Sequence, residues 1–246
     1  EWGIDFIKAD DMISYPGNYE EMKGLRYAME NCGRDMVLSL SPGHIGFWNR
    51  NMCQHFSEMY RVSGDAWDKW EHMTRAFKLA DQFNDYSGPG GWADLDMLVL
   101  GYFGSRHEFS EKGRPSLLSK DEQFTHYVLW CMAKSPLMLG MDVTKLDEFT
   151  TSLLSNKTLL KINQEGINNK QIENKDGIII WQSELENQST RYRAIFNTND
   201  KSVEYTIKVP DETKIIDILN DTATSVSQQK NQLIPAHGVL LLKVEN

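Results

Sequence analysis

The sequence predicts an α/β protein in two parts: a parallel sheet covered by helices to about residue 165, then a small antiparallel β-sandwich. Three observations carry that reading. Short apolar segments alternate with amphipathic ones through the first part. One of them, residues 36–40, is apolar at every position but Ser39, close to the pattern of a strand buried on both faces. After Gly166, β-rich stretches recur at short intervals, with turn formers between them and no helical pattern.

Taken in order, residues 3–9 read as the first strand. Met22, Leu25, Met29 and Cys32 then recur at helical spacing, and Gly33 supplies a C-terminal stop. The apolar run at 36–40 is the second strand, and 60–64 the third. Trp67, Trp70, Thr74 and Phe77 form one face of a helix over 65–81, long enough for a right-handed crossover. Residues 96–100 read as a fourth strand, followed by a Gly- and charge-rich loop over 101–118. Ser119-Lys120-Asp121-Glu122 is a capping box ahead of Phe124, Val128 and Cys131, one helix face. A fifth strand is expected at 136–140, with helical segments to about residue 162. The second part offers strands at 177–182, 192–197, 203–209, 214–219 and 238–244. The boundary is expected between 164 and 170, giving domains 1–165 and 166–246.

Hydrophobic residues at 40% leave enough for a sizeable core in 246 residues. The net charge of -9 sets the surface against nucleic-acid backbones and anionic membranes, and no apolar run reaches the length of a membrane span. An uncharged substrate fits that balance. Cys32, Cys53 and Cys131 are an odd set with no C-x-x-C spacing, so they read as three buried small apolar residues, not a zinc site or disulfide framework. His107, His126 and His237 show no metal-ligand pattern. The chain opens without Met inside what reads as a buried strand, so its natural N-terminus is expected upstream.

Where parallel strands carry an active site, it is built just past their C-terminal ends. Asp10 and Asp11 follow the first strand, Ser41 the second and Asp65 the third, while Asp94 and Asp96 stand at the start of the fourth. One strand-end Asp is usually a helix cap. Several on one rim repel, and such repulsion points to function. Two carboxylates about 5–5.5 Å apart are what a retaining glycosidase needs, one as nucleophile and one as acid/base. Asp10, with Lys8 two residues earlier on the same strand face, suits the nucleophile. Asp65, ahead of a Trp-rich helix, has apolar neighbours that suit a proton donor.

Four ordered motifs resemble family-27 glycoside hydrolases, the α-galactosidases and α-N-acetylgalactosaminidases. Trp2-Gly3-Ile4-Asp5-Phe6-Ile7-Lys8-Ala9-Asp10 is similar to that family's fourth barrel strand, which ends in the nucleophile. Arg61-Val62-Ser63-Gly64-Asp65 resembles the sixth, whose Asp is the acid/base and whose Arg reaches the sugar's 2-substituent. Gly90-Gly91-Trp92-Ala93-Asp94-Leu95-Asp96-Met97-Leu98 is similar to the seventh-strand signature, and Ser135-Pro136-Leu137-Met138-Leu139-Gly140 fits the eighth. The resemblance covers roughly the whole chain. It implies strands 4 to 8 of a (β/α)8 TIM barrel and a trailing β-sandwich.

What the resemblance implies for function is double displacement on terminal α-galactosides of an oligosaccharide or glycoconjugate, with catalytic Asp10 and Asp65. Lys8, Ser41, Arg61, Trp92, Asp96 and Met97 are the implied substrate-binding residues. No metal or organic cofactor is implied, and the compartment would be extracellular, periplasmic or lysosome-like. Three departures stand out. The family's first three β/α units are absent, which leaves an inactive or carbohydrate-binding fragment as an alternative. Leu40-Ser41-Pro42-Gly43 replaces the Cys-Glu-Trp of typical eukaryotic α-galactosidases, so α-N-acetylgalactosaminides and β-L-arabinopyranosides stay open as substrates. Met12 stands where many members have a disulfide cysteine. Of the tryptophans, Trp48, Trp67, Trp70 and Trp130 read mostly as core, and Trp92 alone as near the site. His44 reads as a solvated loop residue.

Overall fold

The computed structural model describes residues 2–11, 19–41, 43, 45–105, 112–186, 190–207, 213–217, 222–225 and 231–245. Pro42, His44, Met12 and His107 therefore lie outside the described residues. Two compact units are present, one of Glu1–Ala66 and Lys78–Asp96, the other of Trp67–Phe77 and Met97–Asn246.

In the first unit, β1 (Phe6–Asp10), β2 (Val37–Ser41), β3 (Met59–Arg61) and β4 (Trp92–Asp94) form a parallel sheet in that order. Parallel neighbours need a long return connection. Helix α1 (Tyr19–Glu30) supplies it between β1 and β2, and α2 (Arg50–Phe56) between β2 and β3. Helix α1 buries Met22 and Met29, as their spacing predicts. The helix after β3, α3 (Trp70–Phe83), starts later than expected, which leaves Asp65 in the connecting loop.

Pairing register and the two-residue pleat sort the side chains of this sheet onto two faces. Ile7, Ala9, Leu38, Leu40, Tyr60 and Ala93 share one face, and Leu38, Leu40 and Tyr60 are fully buried. Lys8, Asp10, Ser39, Ser41, Arg61, Trp92 and Asp94 share the other. The first face is apolar throughout; the second also carries Phe6, Val37 and Met59, and turns polar toward the C-terminal strand ends where the candidate residues lie.

The fourth strand lies at Trp92–Asp94 rather than 96–100. Asp96 has φ +80°, a left-handed conformation that a strand cannot contain. The predicted fifth strand reduces to one parallel bridge, Leu98 to Leu139, inside the second unit. The loop over 101–118 carries a short antiparallel pair, β5 (Tyr102–Phe103) and β6 (Arg114–Pro115).

The second unit continues with α4 (Lys120–Met132), α5 (Glu148–Leu154) and α6 (Lys157–Glu165). The predicted capping box opens α4: Ser119 Oγ accepts from the Glu122 N–H at 3.2 Å, and Glu122 Oε2 accepts from the Ser119 N–H at 2.7 Å. Then come β7 (Gly166–Lys175), β8 (Ile178–Leu185), β9 (Thr190–Asn197), β10 (Val203–Thr206), β11 (Thr213–Asp217), β12 (Thr222–Ser225), β13 (Asn231–Ile234) and β14 (Val239–Glu245). Six of them make an antiparallel sheet in the order β12-β11-β14-β9-β8-β7, while β10 pairs with β13. Ile180, Ile195, Ile207, Ile234 and Leu242 form the core between the two. The β7–β8 hairpin closes through Asp176-Gly177, with φ +52° and +76°, the positive values of a type I′ turn. Cys53 and Cys131 are buried, but Cys32 is exposed at the end of α1, its thiol directed to the Met29 carbonyl at 3.0 Å.

Candidate active site

All four parallel strands end in a polar residue: Asp10, Ser41, Arg61 and Asp94. Asp10 is in register with Ser41 and Arg61 with Asp94, while Leu40 with Tyr60 sets Ser41 and Arg61 as the next residues of their strands. The four therefore form one row across the C-terminal edge of the sheet. Lys8 lies one pleat period below Asp10, and Trp92 one below Asp94, on the same face. Asp10 and Lys8 are exposed, Ser41 is buried and Trp92 is half-buried.

Arg61 organises the centre. Its Nε donates to the Ser63 carbonyl at 3.1 Å, its Nη2 meets Asp65 Oδ1 at 2.9 Å, and its Nη1 lies 3.7 Å from Asp96 Oδ1. The loop after β2 lies against the same guanidinium, since a Cβ on Gly43 would sit 3.7 Å from Nη2. The Asp65 side chain is 60% exposed and bound to Arg61, so the apolar surroundings expected for it are absent. Arg61, expected to reach the sugar, is here ion-paired with Asp65.

Asp96 is only 4% exposed. Its Oδ2 accepts from the Ala66 N–H at 2.7 Å, next to Asp65, and its own N–H donates to Asp94 Oδ1 at 2.8 Å. Around it Ser63 Oγ donates to the Leu95 carbonyl at 3.0 Å, and the Val62 N–H to the Asp94 carbonyl at 2.9 Å. Asp94 is 2% exposed, and burial pushes its carboxyl up to about 6. The Asp96 N–H opposes that rise, the Asp96 charge adds to it, and Lys8 and Arg61 pull it back. Sequence reasoning placed Asp94 on the rim beside Asp96 but gave it neither a catalytic nor a substrate-binding role. Its signal was the Asp-x-Asp spacing, in which a side-chain oxygen reaches the N–H two residues on.

Met97 belongs to the second unit, where its thioether packs on Gly140: a Cβ there would lie 2.6 Å from Sδ. Trp130 is core as expected, and Trp70 stacks on His237 with ring centroids 3.9 Å apart. Trp48 is not core. It is 90% exposed, on a short 3-10 helix whose Phe47 packs edge-on against Phe83 and Tyr86.

Parallel strands that gather acids and a cation at their C-terminal ends define an α/β enzyme scaffold. The family model described as Alpha galactosidase A matches residues 1–165, and the chain belongs to that family. A family-27 β-L-arabinopyranosidase of Geobacillus stearothermophilus is 32% identical with a TM-score of 0.91, over 100% of this chain and 58% of that one. A Bacillus halodurans protein assigned as an α-N-acetylgalactosaminidase is 30% identical with a TM-score of 0.81, over 100% and 59%. The α-galactosidase of Oryza sativa subsp. japonica is 29% identical over 84% of this chain and 46% of its own length. The chain thus spans about half the length of the curated relatives it matches. These structural neighbours are barrel enzymes of family 27.

Proposed function

We propose that the chain is the C-terminal portion of a retaining glycoside hydrolase that releases terminal α-galactosyl groups from oligosaccharides or glycoconjugates. The observation that carries this reading is the row Asp10, Ser41, Arg61 and Asp94, with Asp65 held by Arg61 just beyond it. Residues 1–165 are read as strands 4 to 8 of the barrel, and 166–246 as a β-sandwich. Four parallel strands cannot close an eight-stranded barrel. The edge strand β1, with Trp2, Ile4 and Phe6 exposed on or beside it, fits a barrel continued by further strands.

In the mechanism, Asp10 attacks the anomeric carbon while the bond to the aglycone oxygen breaks and Asp65 delivers a proton to that oxygen. Water then attacks the same carbon and yields its proton to Asp65, and the bond to Asp10 breaks. Strands β1 and β3 flank β2, so their backbones lie about 10 Å apart. Side chains converging on a sugar between them can close to the roughly 5–5.5 Å that double displacement requires. Lys8, Ser41, Arg61, Trp92, Asp96 and Met97 are the substrate-binding residues of this reading, and no cofactor enters.

A second reading keeps the chemistry and changes the sugar. The likeness to the arabinopyranosidase favours a β-L-arabinopyranoside, which lacks only galactose's exocyclic hydroxymethyl group. Small, buried Ser41 favours an α-N-acetylgalactosaminide. Aryl glycosides of the three sugars, assayed side by side on the protein expressed from its natural gene start, decide among them. The α-galactoside should be cleaved fastest, and Asp10→Ala should abolish turnover, with azide restoring it as a glycosyl azide. No cleavage of any of the three would leave a carbohydrate-binding protein in place of an enzyme.

A further inference from the structure

Asp94 is the most buried acid of the polar row, and the double displacement leaves it without a task. Its neighbour Asp96 is held at φ +80°, a conformation that costs a residue with a Cβ about 1 kcal/mol or more. Something must hold it there. The Asp94 carboxylate accepts the Asp96 N–H at 2.8 Å, and the Asp94 backbone is itself pinned in β4, paired with Arg61 and accepting from the Val62 N–H. From that left-handed turn the Asp96 side chain points back, taking the Ala66 N–H with one oxygen and facing Arg61 Nη1 with the other.

We propose that Asp94 is the positioning residue of this site: its side chain clamps Asp96 in the left-handed turn, and through Asp96 and Ala66 it fixes the Arg61–Asp65 pair. It acts on these groups rather than on a substrate. The burial that raises its carboxyl follows from this place, since a side chain bound under the polar row has no water to solvate it. The consequence for rate rests on the glycosidase reading above, whereas the clamp itself does not.

Two variants separate the possibilities. Asp94→Asn keeps an acceptor oxygen for the Asp96 N–H, and Asp94→Ala removes it, with Asp94→Val, of similar shape and also without an acceptor, taking its place if the alanine variant does not fold. Crystal structures and aryl-glycoside kinetics are compared on the protein expressed from its natural gene start. In Asp94→Ala, Asp96 should leave the left-handed region and Arg61 should lose Asp96. Its kcat should fall by about 10²-fold while KM changes far less, the size expected when a reacting group shifts by about 1 Å. Asp94→Asn should keep the Asp96 turn and restore most of kcat. An unchanged Asp96 conformation in Asp94→Ala overturns the proposal, as does an asparagine variant as damaged as the alanine one. If the wild-type protein cleaves no glycoside, only the glycosidase reading fails, and the crystal structures still decide the clamp.

Discussion

His126 lies on α4, fully buried, with its ring 4.0 Å from that of Trp130, and neither ring nitrogen has a hydrogen-bond partner among the described residues. Burial holds its pKa down to about 3 against an ordinary 6.5, because no water can solvate the cation. The native state thus stays neutral where the unfolded chain takes up a proton. Stability from this group is intact above pH 6.5 and drains away as the pH falls toward 3. At about 1.4 kcal/mol per pH unit, the loss at pH 4 is about 3 kcal/mol. His126→Phe removes the titration and keeps a flat ring against Trp130. It also removes two unpartnered nitrogens, each of which costs about 1–3 kcal/mol when buried. Urea unfolding followed by tryptophan fluorescence at pH 7 and pH 4 measures the effect. The variant should be at least as stable at pH 7, and its advantage should widen by about 3 kcal/mol at pH 4. Carboxylates elsewhere act on both proteins alike and cancel in the difference. A difference constant within about 1 kcal/mol across that range would refute the reasoning, because the native ring would then accept a proton as readily as the unfolded one.

Asp68→Asn should cost about 3 kcal/mol at pH 7, since it leaves Arg114 without its bidentate partner and weakens the acceptor of the Leu117 N–H. Burial pushes the Asp68 carboxyl up, but Arg114 and that N–H outweigh it, so the loss should shrink in unfolding measured below pH 4. Trp48→Ala should change stability by less than about 0.5 kcal/mol, whereas Trp181→Ala should cost about 4 kcal/mol, because one ring is in solvent and the other fully buried. Gly177→Ala should cost about 2 kcal/mol in the same assay, since a Cβ at φ +76° would lie 2.3 Å from Asn199 Oδ1.

The sequence made legible what depends on local chemistry and hid what depends on register. The capping box at Ser119, the methionines of α1 and the turn ahead of β8 each follow from a side chain and its near neighbours. Strand β7 escaped because its polar run, with two register shifts against β8, shows no two-residue alternation. Strand β12 is exposed at every position, so it carries no hydrophobic signal at all. The fourth strand was misplaced because the apolar residues after Asp96 look more strand-like than Trp92-Ala93-Asp94, and a positive φ at Asp96 has no sequence mark unless the residue is glycine. Asp10, Arg61, Asp65 and Asp96 came from motifs, and Asp94 from its place on the rim, but its pairing beside Arg61 and its hold on the Asp96 N–H became visible only in the fold.

The acids of the rim are graded by exposure, from Asp94 and Asp96, both buried, to Asp65 and Asp10, both open to solvent. Four carboxylates gathered on one rim would repel one another if all were equally solvated and equally charged. Here the two buried ones are bound into the backbone, through the N–H groups of Asp96 and Ala66, and Arg61 lies between Asp96 and Asp65. Burial and the neighbouring Asp96 charge raise the carboxyl of Asp94, which lowers the charge the interior must hold as the medium turns acid. On the glycosidase reading proposed above, the groups that would meet a sugar are then open to it, while those that hold them are fixed before any substrate arrives. Preorganisation of that kind is where electrostatic catalysis draws most of its strength, because no reorganisation is left for the moment of reaction.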